Sequence, residues 1–123
     1  MEKLKLITHK GKQIVFADYS SYRHKEERPD IIATLDELKA YVATQPEQSV
    51  LALSDVTNIY LEKELSDKFT EMVEHNKPYI KRSAVIGVTG FKKSIHNIMM
   101  ALTGRVVKIF NDLEAAKDWL VHE

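Results

Sequence analysis

Two adjacent lysines follow a glycine-containing turn in the segment AVIGVTGFKK, residues 84–93. Lys92 and Lys93 stand at the predicted start of a helix, where the helix dipole disfavours an exposed cation by about 0.3–1 kcal/mol. The unpaired backbone N–H groups at the same terminus attract phosphate or carboxylate, and such an anion would turn the repulsion into an attraction. Gly87 and Gly90 would let the backbone approach the anion closely. The segment therefore predicts an anion site at Thr89, Gly90, Lys92 and Lys93; the alternative is that both lysines are simply solvated.

Two aspartates stand at the ends of strands that we predict to be parallel. Asp18 and Asp55 would then share the crevice at the carboxyl edge of the sheet, where ligands of open parallel sheets commonly bind. Paired carboxylates there could hold Mg²⁺ beside a phosphate, which would make either residue a metal ligand or a base. The alternative for Asp55 is a turn-forming role, for which Asp is well suited. A receiver-type phosphoacceptor site is disfavoured, because it needs an adjacent acidic pair and a lysine after the last strand, where Phe110 and Asn111 stand.

The other reactive residue types form no motif that we recognise. GVTGFKKS lacks Walker A spacing, the 5 histidines show no HExxH pattern, and no serine lies in a GxSxG elbow. The absence of cysteine excludes disulfides, thiolate metal sites and a cysteine nucleophile, and it suits a cytoplasmic location. No apolar run approaches the roughly 18 residues of a membrane span, and the N-terminus lacks a signal peptide's apolar core. We predict no catalytic residue, no metal site and no cofactor.

Charge is balanced in total but not along the chain. The 18 basic and 18 acidic residues cancel, yet residues 77–108 carry seven Lys or Arg and no Asp or Glu. The balance, with no basic and aromatic platform, argues against nucleic acid as a partner. The basic stretch is compatible with contact to an anionic membrane surface, which attracts each well-placed Lys or Arg with a binding free energy of about 1 kcal/mol. The acidic face of the helix predicted over 61–76 is either solvated or a site of head-to-tail oligomerisation.

Apolar periodicity predicts the elements that position these residues. The first two strands flank a short turn and form an antiparallel hairpin, after which helices and strands alternate strictly. Strands separated by helices of this length pair in parallel through right-handed crossovers. The expected fold is α/β, a mixed five-stranded sheet with four helices in one domain over residues 1–123. The predicted strands cover 4–8, 13–19, 49–55, 82–88 and 106–110, and the predicted helices cover 29–45, 61–76, 91–102 and 111–120.

Three local features of these elements can be predicted as well. The strand over 49–55 is uniformly apolar, so it should be central and covered on both faces. Asn111 stands three residues before Glu114, the spacing of a capping box at the last helix. Glu64 and Lys68 stand four residues apart, the spacing of an exposed ion pair on one helix.

The chain contains the strings FADYS (16–20), SVLALSDVTN (49–58), HNKPYIKRSAVIGVTGFKK (75–93) and FNDLEAAKDWL (110–120). Together they resemble the STAS family, the SpoIIAA-like domains of bacterial anti-sigma-factor antagonists, and especially its small, uncharacterised bacterial STAS/SEC14-like branch. The resemblance covers nearly the whole chain and implies a cytoplasmic regulatory or ligand-binding domain without catalysis of its own. STAS domains bind partner proteins, nucleotides or lipid-like molecules, so a regulatory partner protein or an anionic, lipid-like molecule is the implied partner.

One stretch departs from that family. SpoIIAA-type antagonists carry a phosphorylated serine where the helix after the central strand begins, whereas residues 59–65 read IYLEKEL and contain no hydroxyl. Thr57 lies close but does not match the motif, which puts a phosphorylation switch in doubt. The sequence therefore predicts a non-enzymatic STAS-like module. The competing hypothesis is a small metal-dependent enzyme that acts on a phosphorylated substrate.

Overall fold

The computed structural model describes residues 4–20, 25–57, 59, 63–87 and 107–122, which contain five strands and three α-helices. The helix that the sequence predicts over 91–102 lies outside these residues. The strands are β1 (Leu4–His9), β2 (Lys12–Asp18), β3 (Val50–Asp55), β4 (Ile80–Ile86) and β5 (Val107–Phe110). The helices are α1 (Arg28–Val42), α2 (Lys63–Asn76) and α3 (Leu113–Val121), with a 3₁₀ turn at Lys25–Glu27 before α1.

The five strands form one mixed sheet in the order β1-β2-β3-β4-β5. β1 and β2 pair antiparallel, and the three pairs from β2 to β5 are parallel. Lys10 and Gly11 close the hairpin with φ angles of 52° and 81°, as a two-residue type I′ turn requires. The predicted mixed sheet with an N-terminal antiparallel hairpin is confirmed.

Helices cover both faces of this sheet. On one face α1 and α2 pack over an apolar cluster that includes Val15, Leu35 and Phe69. On the other face α3 packs through Leu120 onto a second cluster that includes Leu53. Right-handed crossovers between successive parallel strands place α1 and α2 on the same face. Because α3 follows the last strand, it can cover the opposite face.

β3 is the central strand of the sheet, as predicted. Val50 and Ala52 belong to the cluster beneath α1 and α2, whereas Leu51 and Leu53 belong to the cluster beneath α3. All four side chains are buried. The first four residues of β3, VLAL, are all apolar because both faces of the strand are covered there.

The bounds of β4 and α1 differ from the prediction for reasons that the structure shows. β4 spans Ile80–Ile86 and so begins and ends about two residues before the predicted strand over 82–88. It ends there because Gly87 has a φ of +85°, a left-handed conformation that cannot continue a strand. α1 ends at Val42 rather than near Gln45, because the N–H of Gln45 donates to the carbonyl of Val42 in a tighter turn.

The N-cap of α3 is Asp112, so the predicted cap at Asn111 is wrong. Oδ2 of Asp112 accepts a hydrogen bond of 2.9 Å from the N–H of Ala115. Asn and Asp cap helices about equally well, but only the carboxylate also interacts favourably with the positive end of the helix dipole. The helix consequently begins one residue later than a cap at Asn111 would have placed it.

The predicted ion pair between Glu64 and Lys68 is also wrong. Oε1 of Glu64 lies 3.5 Å from Nη1 of Arg28 at the start of α1, and Nζ of Lys68 lies 3.9 Å from Glu71. The packing of α1 against α2 brings a cation from another element within reach of Glu64. Spacing within one helix cannot reveal such a partner.

The β1–β2 hairpin is tied to α3 by an exposed ionic contact. Oδ1 of Asp118 lies 2.7 Å from Nε2 of His9 and 3.1 Å from Nζ of Lys10. Hydrogen bonds from His9 and then Lys10 lower the pKa of Asp118 below its ordinary value of 3.8. The carboxylate is therefore more stable in the folded chain than in the unfolded chain.

Replacing Asp118 by asparagine should remove a stability contribution that depends on pH. Because folding lowers the pKa of Asp118, the contribution is complete above the unfolded pKa of about 3.8 and is lost as pH falls through the lower folded pKa. Urea midpoints of wild type and Asp118→Asn should differ slightly near neutral pH and converge in acid. Asp36→Asn, the same change at an exposed position of α1, is the matched control for the loss of one negative charge. A constant gap between wild type and Asp118→Asn down to about pH 2 would contradict the assignment.

Candidate functional site at the carboxyl edge of the parallel strands

The two predicted aspartates are brought together by the parallel pairing of β2 and β3. Asp18 and Asp55 are each the last residue of their strand and are direct partners in the register. They stand at the carboxyl edge of the sheet, as the sequence predicts, and both are partly exposed. This is the edge where open parallel sheets commonly bind ligands.

Each carboxylate forms the same pair of hydrogen bonds within its own turn. Oδ1 of Asp18 accepts from the backbone N–H of Ser20 at 2.9 Å and from its hydroxyl at 2.6 Å. Oδ1 of Asp55 accepts from the N–H of Thr57 at 3.0 Å and from its hydroxyl at 2.6 Å. The turn-forming role predicted for Asp55 is confirmed, and Asp18 has the same role.

Backbone hydrogen bonds extend the parallel pairing beyond the strand ends. The N–H of Tyr19 donates to the carbonyl of Asp55 at 2.9 Å, and the N–H of Val56 donates to the carbonyl of Ile86 at 3.0 Å. Three successive strands are therefore joined where they leave the sheet. The turns after Asp18 and Asp55 are held in fixed positions beside each other.

Gly87 completes the edge on the side of β4. A Cβ atom at this position would lie 2.6 Å from the backbone nitrogen of Thr57 and 2.8 Å from its Cα, and closer still to its hydroxyl. Only glycine allows the chain leaving β4 to come this close to the Asp55 turn.

The other four predicted site residues follow Gly87 in the sequence. Thr89, Gly90, Lys92 and Lys93 are outside the described residues, so their anion site stays a prediction. The chain enters that segment from Gly87, which contacts the Asp55 turn.

Ser20 and Thr57 are part of the edge and were missed from the sequence. The signal that could have found them is a repeated pattern: Asp-Tyr-Ser after β2 and Asp-Val-Thr after β3 both place a hydroxyl two residues beyond the aspartate. An Asp followed at this distance by Ser or Thr is typical of a side-chain-stabilised turn. Because each hydroxyl donates to its own carboxylate, it is oriented by the turn.

Asp18 and Asp55 supply two neighbouring carboxylates. Mg²⁺ is commonly bound by one or two protein carboxylates, with water and a substrate phosphate as its other ligands. Over the described ranges, no group of three or more His, Cys, Asp or Glu residues is arranged to hold a metal ion.

No helix within the described ranges has the length and apolar character needed to span a bilayer.

Comparison with known proteins supports the fold. No protein-family model matches the chain, and no curated protein matches its sequence significantly. Among solved structures, the chain is similar to an uncharacterised DUF3478-family protein with a SpoIIAA-like fold from Shewanella loihica PV-4. The two superpose with a TM-score of 0.67 over 95% of this chain and 91% of that one, at 18% sequence identity. With the strand order and pairing described above, this similarity shows that the chain has a SpoIIAA-like fold.

Proposed function

We propose that the chain is a non-enzymatic, cytoplasmic STAS-like module. It binds a regulatory partner protein or an anionic, lipid-like molecule at the carboxyl edge of its parallel strands. The observation that carries this proposal is the use of the Asp18 and Asp55 carboxylates as turn-forming acceptors. Both turns are thereby preorganised as a recognition surface.

The hydrogen bonds of this edge favour binding over catalysis. A general base needs a lone pair directed at the proton it removes, and a metal ligand needs one directed at the ion. In Asp18 and Asp55 the Oδ1 atom already accepts two bonds from its own turn, so that only Oδ2 of each carboxylate is left for a proton or an ion. An edge of fixed turns loses little conformational entropy when a partner binds, which favours recognition.

Thr89, Gly90, Lys92 and Lys93 would supply the anion-binding part of this edge. The chain reaches them directly after Gly87, which lies against Thr57. A ligand that carries phosphate or a phospholipid head group would then meet two cations on one side and the Ser20 and Thr57 turns on the other. This arrangement is part of the proposal.

Thermal unfolding with and without added anions tests the proposal. Inorganic phosphate and anionic phospholipid head groups should raise the melting temperature of wild type at low salt, because binding to the native state stabilises it. The double variant Lys92→Ala/Lys93→Ala should lose this stabilisation. Lys5→Ala/Lys63→Ala removes the same charge from two exposed lysines elsewhere and should retain it. Equal stabilisation of wild type and the 92/93 variant would refute the anion site.

Native mass spectrometry of the purified chain tests the lipid-like form of the ligand. A lipid-like ligand held at this edge should copurify as an adduct, and the Lys92→Ala/Lys93→Ala variant should lack it. An adduct-free mass for wild type would leave a partner protein as the ligand class.

The metal-dependent enzyme is the second candidate, and the adjacent carboxylates in register favour it. Asn keeps the Oδ1 acceptor of each turn but removes the negative charge, so Asp18→Asn and Asp55→Asn separate chemistry from turn formation. An enzyme would release phosphate from a generic phosphomonoester only with a divalent metal and would lose this activity in either variant. The proposed binding module shows no such turnover.

A further inference from the structure

Strand β1 forms one edge of the sheet, and no strand in the part of the chain that the structure describes pairs with its outer side. It is 6 residues long, runs in unbroken register with β2, and contains neither a proline nor a bulge. Proteins commonly protect such an edge with a short strand, a proline, a bulge or charges. The opposite edge strand, β5, has 4 residues and carries the exposed Lys108. β1 is therefore the edge that can accept a further strand.

The hairpin geometry determines which backbone groups of β1 face outward. His9 and Lys12 flank the two-residue turn and are partners in the register, so they form the hydrogen-bonded pair that closes the turn. Bonded and non-bonded pairs alternate along an antiparallel ladder, so every second residue counted back from His9 faces β2. The N–H and C=O groups of the residues between them point away from the sheet, and these residues are Leu4, Leu6 and Thr8.

The side chains of β1 lie alternately on the two faces of the sheet. Leu4 packs against the cluster beneath α1 and α2, and Ile7 packs against the cluster beneath α3. Leu6 lies on the same face as Leu4, near the middle of the strand, and is 50% exposed. The outer edge of the sheet thus has an apolar side chain at its centre.

We infer that β1 pairs antiparallel with β1 of a second copy of the chain, so that the two sheets join into one. A two-fold axis at Leu6 sets this residue opposite Leu6 of the second copy, and it sets Leu4 opposite Thr8. Each such pair exchanges two backbone hydrogen bonds, so every outward-facing group of the three residues gains a partner. The contact uses the same surface on both copies, which closes the assembly at a dimer.

Charge and strand length select this register over its neighbours. A shift that keeps the hydrogen-bonding pattern moves the second copy by two residues. In one direction, Lys5 would lie opposite Lys5 of the second copy, and like charges directly opposite each other are destabilising. In the other direction, Leu4 would lie opposite Lys10, which belongs to the turn and not to β1. With the axis at Leu6, Lys5 lies opposite Ile7, and the two Leu6 side chains contact each other.

The dimer is weak and leaves both copies complete. One strand pair belongs to the interfaces below about 1,200 Å², which are typical of transient association, so at about 1 µM the chain is a monomer. Unfolding measured at that concentration reports on the single chain. Because the two-fold axis reverses the direction of β2, the carboxyl edges of the two copies lie at opposite ends of the joined sheet. The inference does not depend on the function proposed for that edge.

Analytical ultracentrifugation of the full chain between about 1 µM and about 1 mM tests the inference. The weight-average mass should rise from 14.1 kDa toward twice that value and no further. Hydrogen exchange followed by NMR then locates the contact without any variant. The amides of Leu4, Leu6 and Thr8 should exchange about twofold to fourfold more slowly at about 1 mM than at about 50 µM. The amides of Ile7 and His9 should not change, because they already donate to β2.

Leu6→Glu and Leu6→Lys test the position of the two-fold axis. Each variant sets two like charges opposite each other, so each should associate with itself about tenfold more weakly than wild type does. An equimolar mixture sets opposite charges together and should recover most of this loss. Leu113→Glu makes the same change at an exposed leucine of α3 and should associate as wild type does. Thermal unfolding at about 1 µM checks that every variant is folded.

Three results would overturn the inference. The first is a mass that stays at 14.1 kDa up to about 1 mM. The second is association that both Leu6 variants retain in full, or amide protection confined to β5, since either would place the contact elsewhere. The third is a mixture of Leu6→Glu and Leu6→Lys that associates no more tightly than each variant alone, which would show that Leu6 does not face its own copy.

Discussion

Replacing Gly87 by alanine should lower the free energy of unfolding by about 2–5 kcal/mol. A non-glycine residue in a left-handed conformation costs about 1–2 kcal/mol, and Gly87 has a φ of +85°. The new methyl group would also lie 2.6 Å from the backbone nitrogen of Thr57, a rigid atom that can move away only if the Asp55 turn moves. Overpacking of this kind adds about 1–3 kcal/mol.

Gly11→Ala is the matched control for this effect. Gly11 has nearly the same φ, +81°, but a Cβ there would meet nothing within 4 Å. Its replacement should therefore cost only the conformational part, about 1–2 kcal/mol. Urea unfolding of both variants measures the difference directly. Equal losses at the two positions would show that Thr57 yields without cost and would contradict the close packing at Gly87.

Replacing Leu53 by alanine should destabilise the chain by about 2–5 kcal/mol, because it deletes buried methyl groups and leaves a cavity. Leu53 is 0% exposed at the centre of β3 and belongs to the apolar cluster beneath α3. Domains of this kind have total stabilities of only about 5–15 kcal/mol, so this single change would remove a large fraction.

Leu6→Ala makes the same chemical change on the outer strand β1, where Leu6 is 50% exposed. It should alter stability by about 0.5 kcal/mol or less, as is usual for surface positions. Chemical denaturation of the two variants, followed by the fluorescence of Trp119, supplies the comparison. A loss at Leu53 as small as that at Leu6 would mean that α3 does not pack on β3 as described.

The two ends of the sheet offer different chemistry. At the carboxyl edge, Asp18 and Asp55 hold paired turns that present a fixed surface. At the amino edge, a cavity of about 270 Å³ is lined by residues of β2, β3 and β4 and by the end of α1, among them Val15, Val50 and Tyr41.

Some features of the fold could be predicted because they depend on residues close together in sequence. The apolar run at 49–55 predicted a central strand, since only a strand buried on both faces needs apolar residues at every position. The alternation of helices and strands then predicted parallel pairing, because a helical crossover returns the chain in the same direction. With that pairing, Asp18 and Asp55 had to meet at one edge.

Other features could not be predicted because their causes lie in distant parts of the chain. The partner of Glu64 is Arg28, which only the packing of α1 against α2 brings near. Asp118 is stabilised by His9 and Lys10, more than a hundred residues earlier in the chain.

The sequence by itself determined the mixed sheet, its central strand and the edge at which two aspartates stand, since periodicity and crossover handedness are local constraints. The tertiary structure alone decided that both aspartates hold turns through Ser20 and Thr57, that Gly87 must lack a side chain, and that a cavity opens at the other edge. Those outcomes depend on distances between strands. Such distances are set when the two faces of the sheet pack against their helices, and no single segment encodes them.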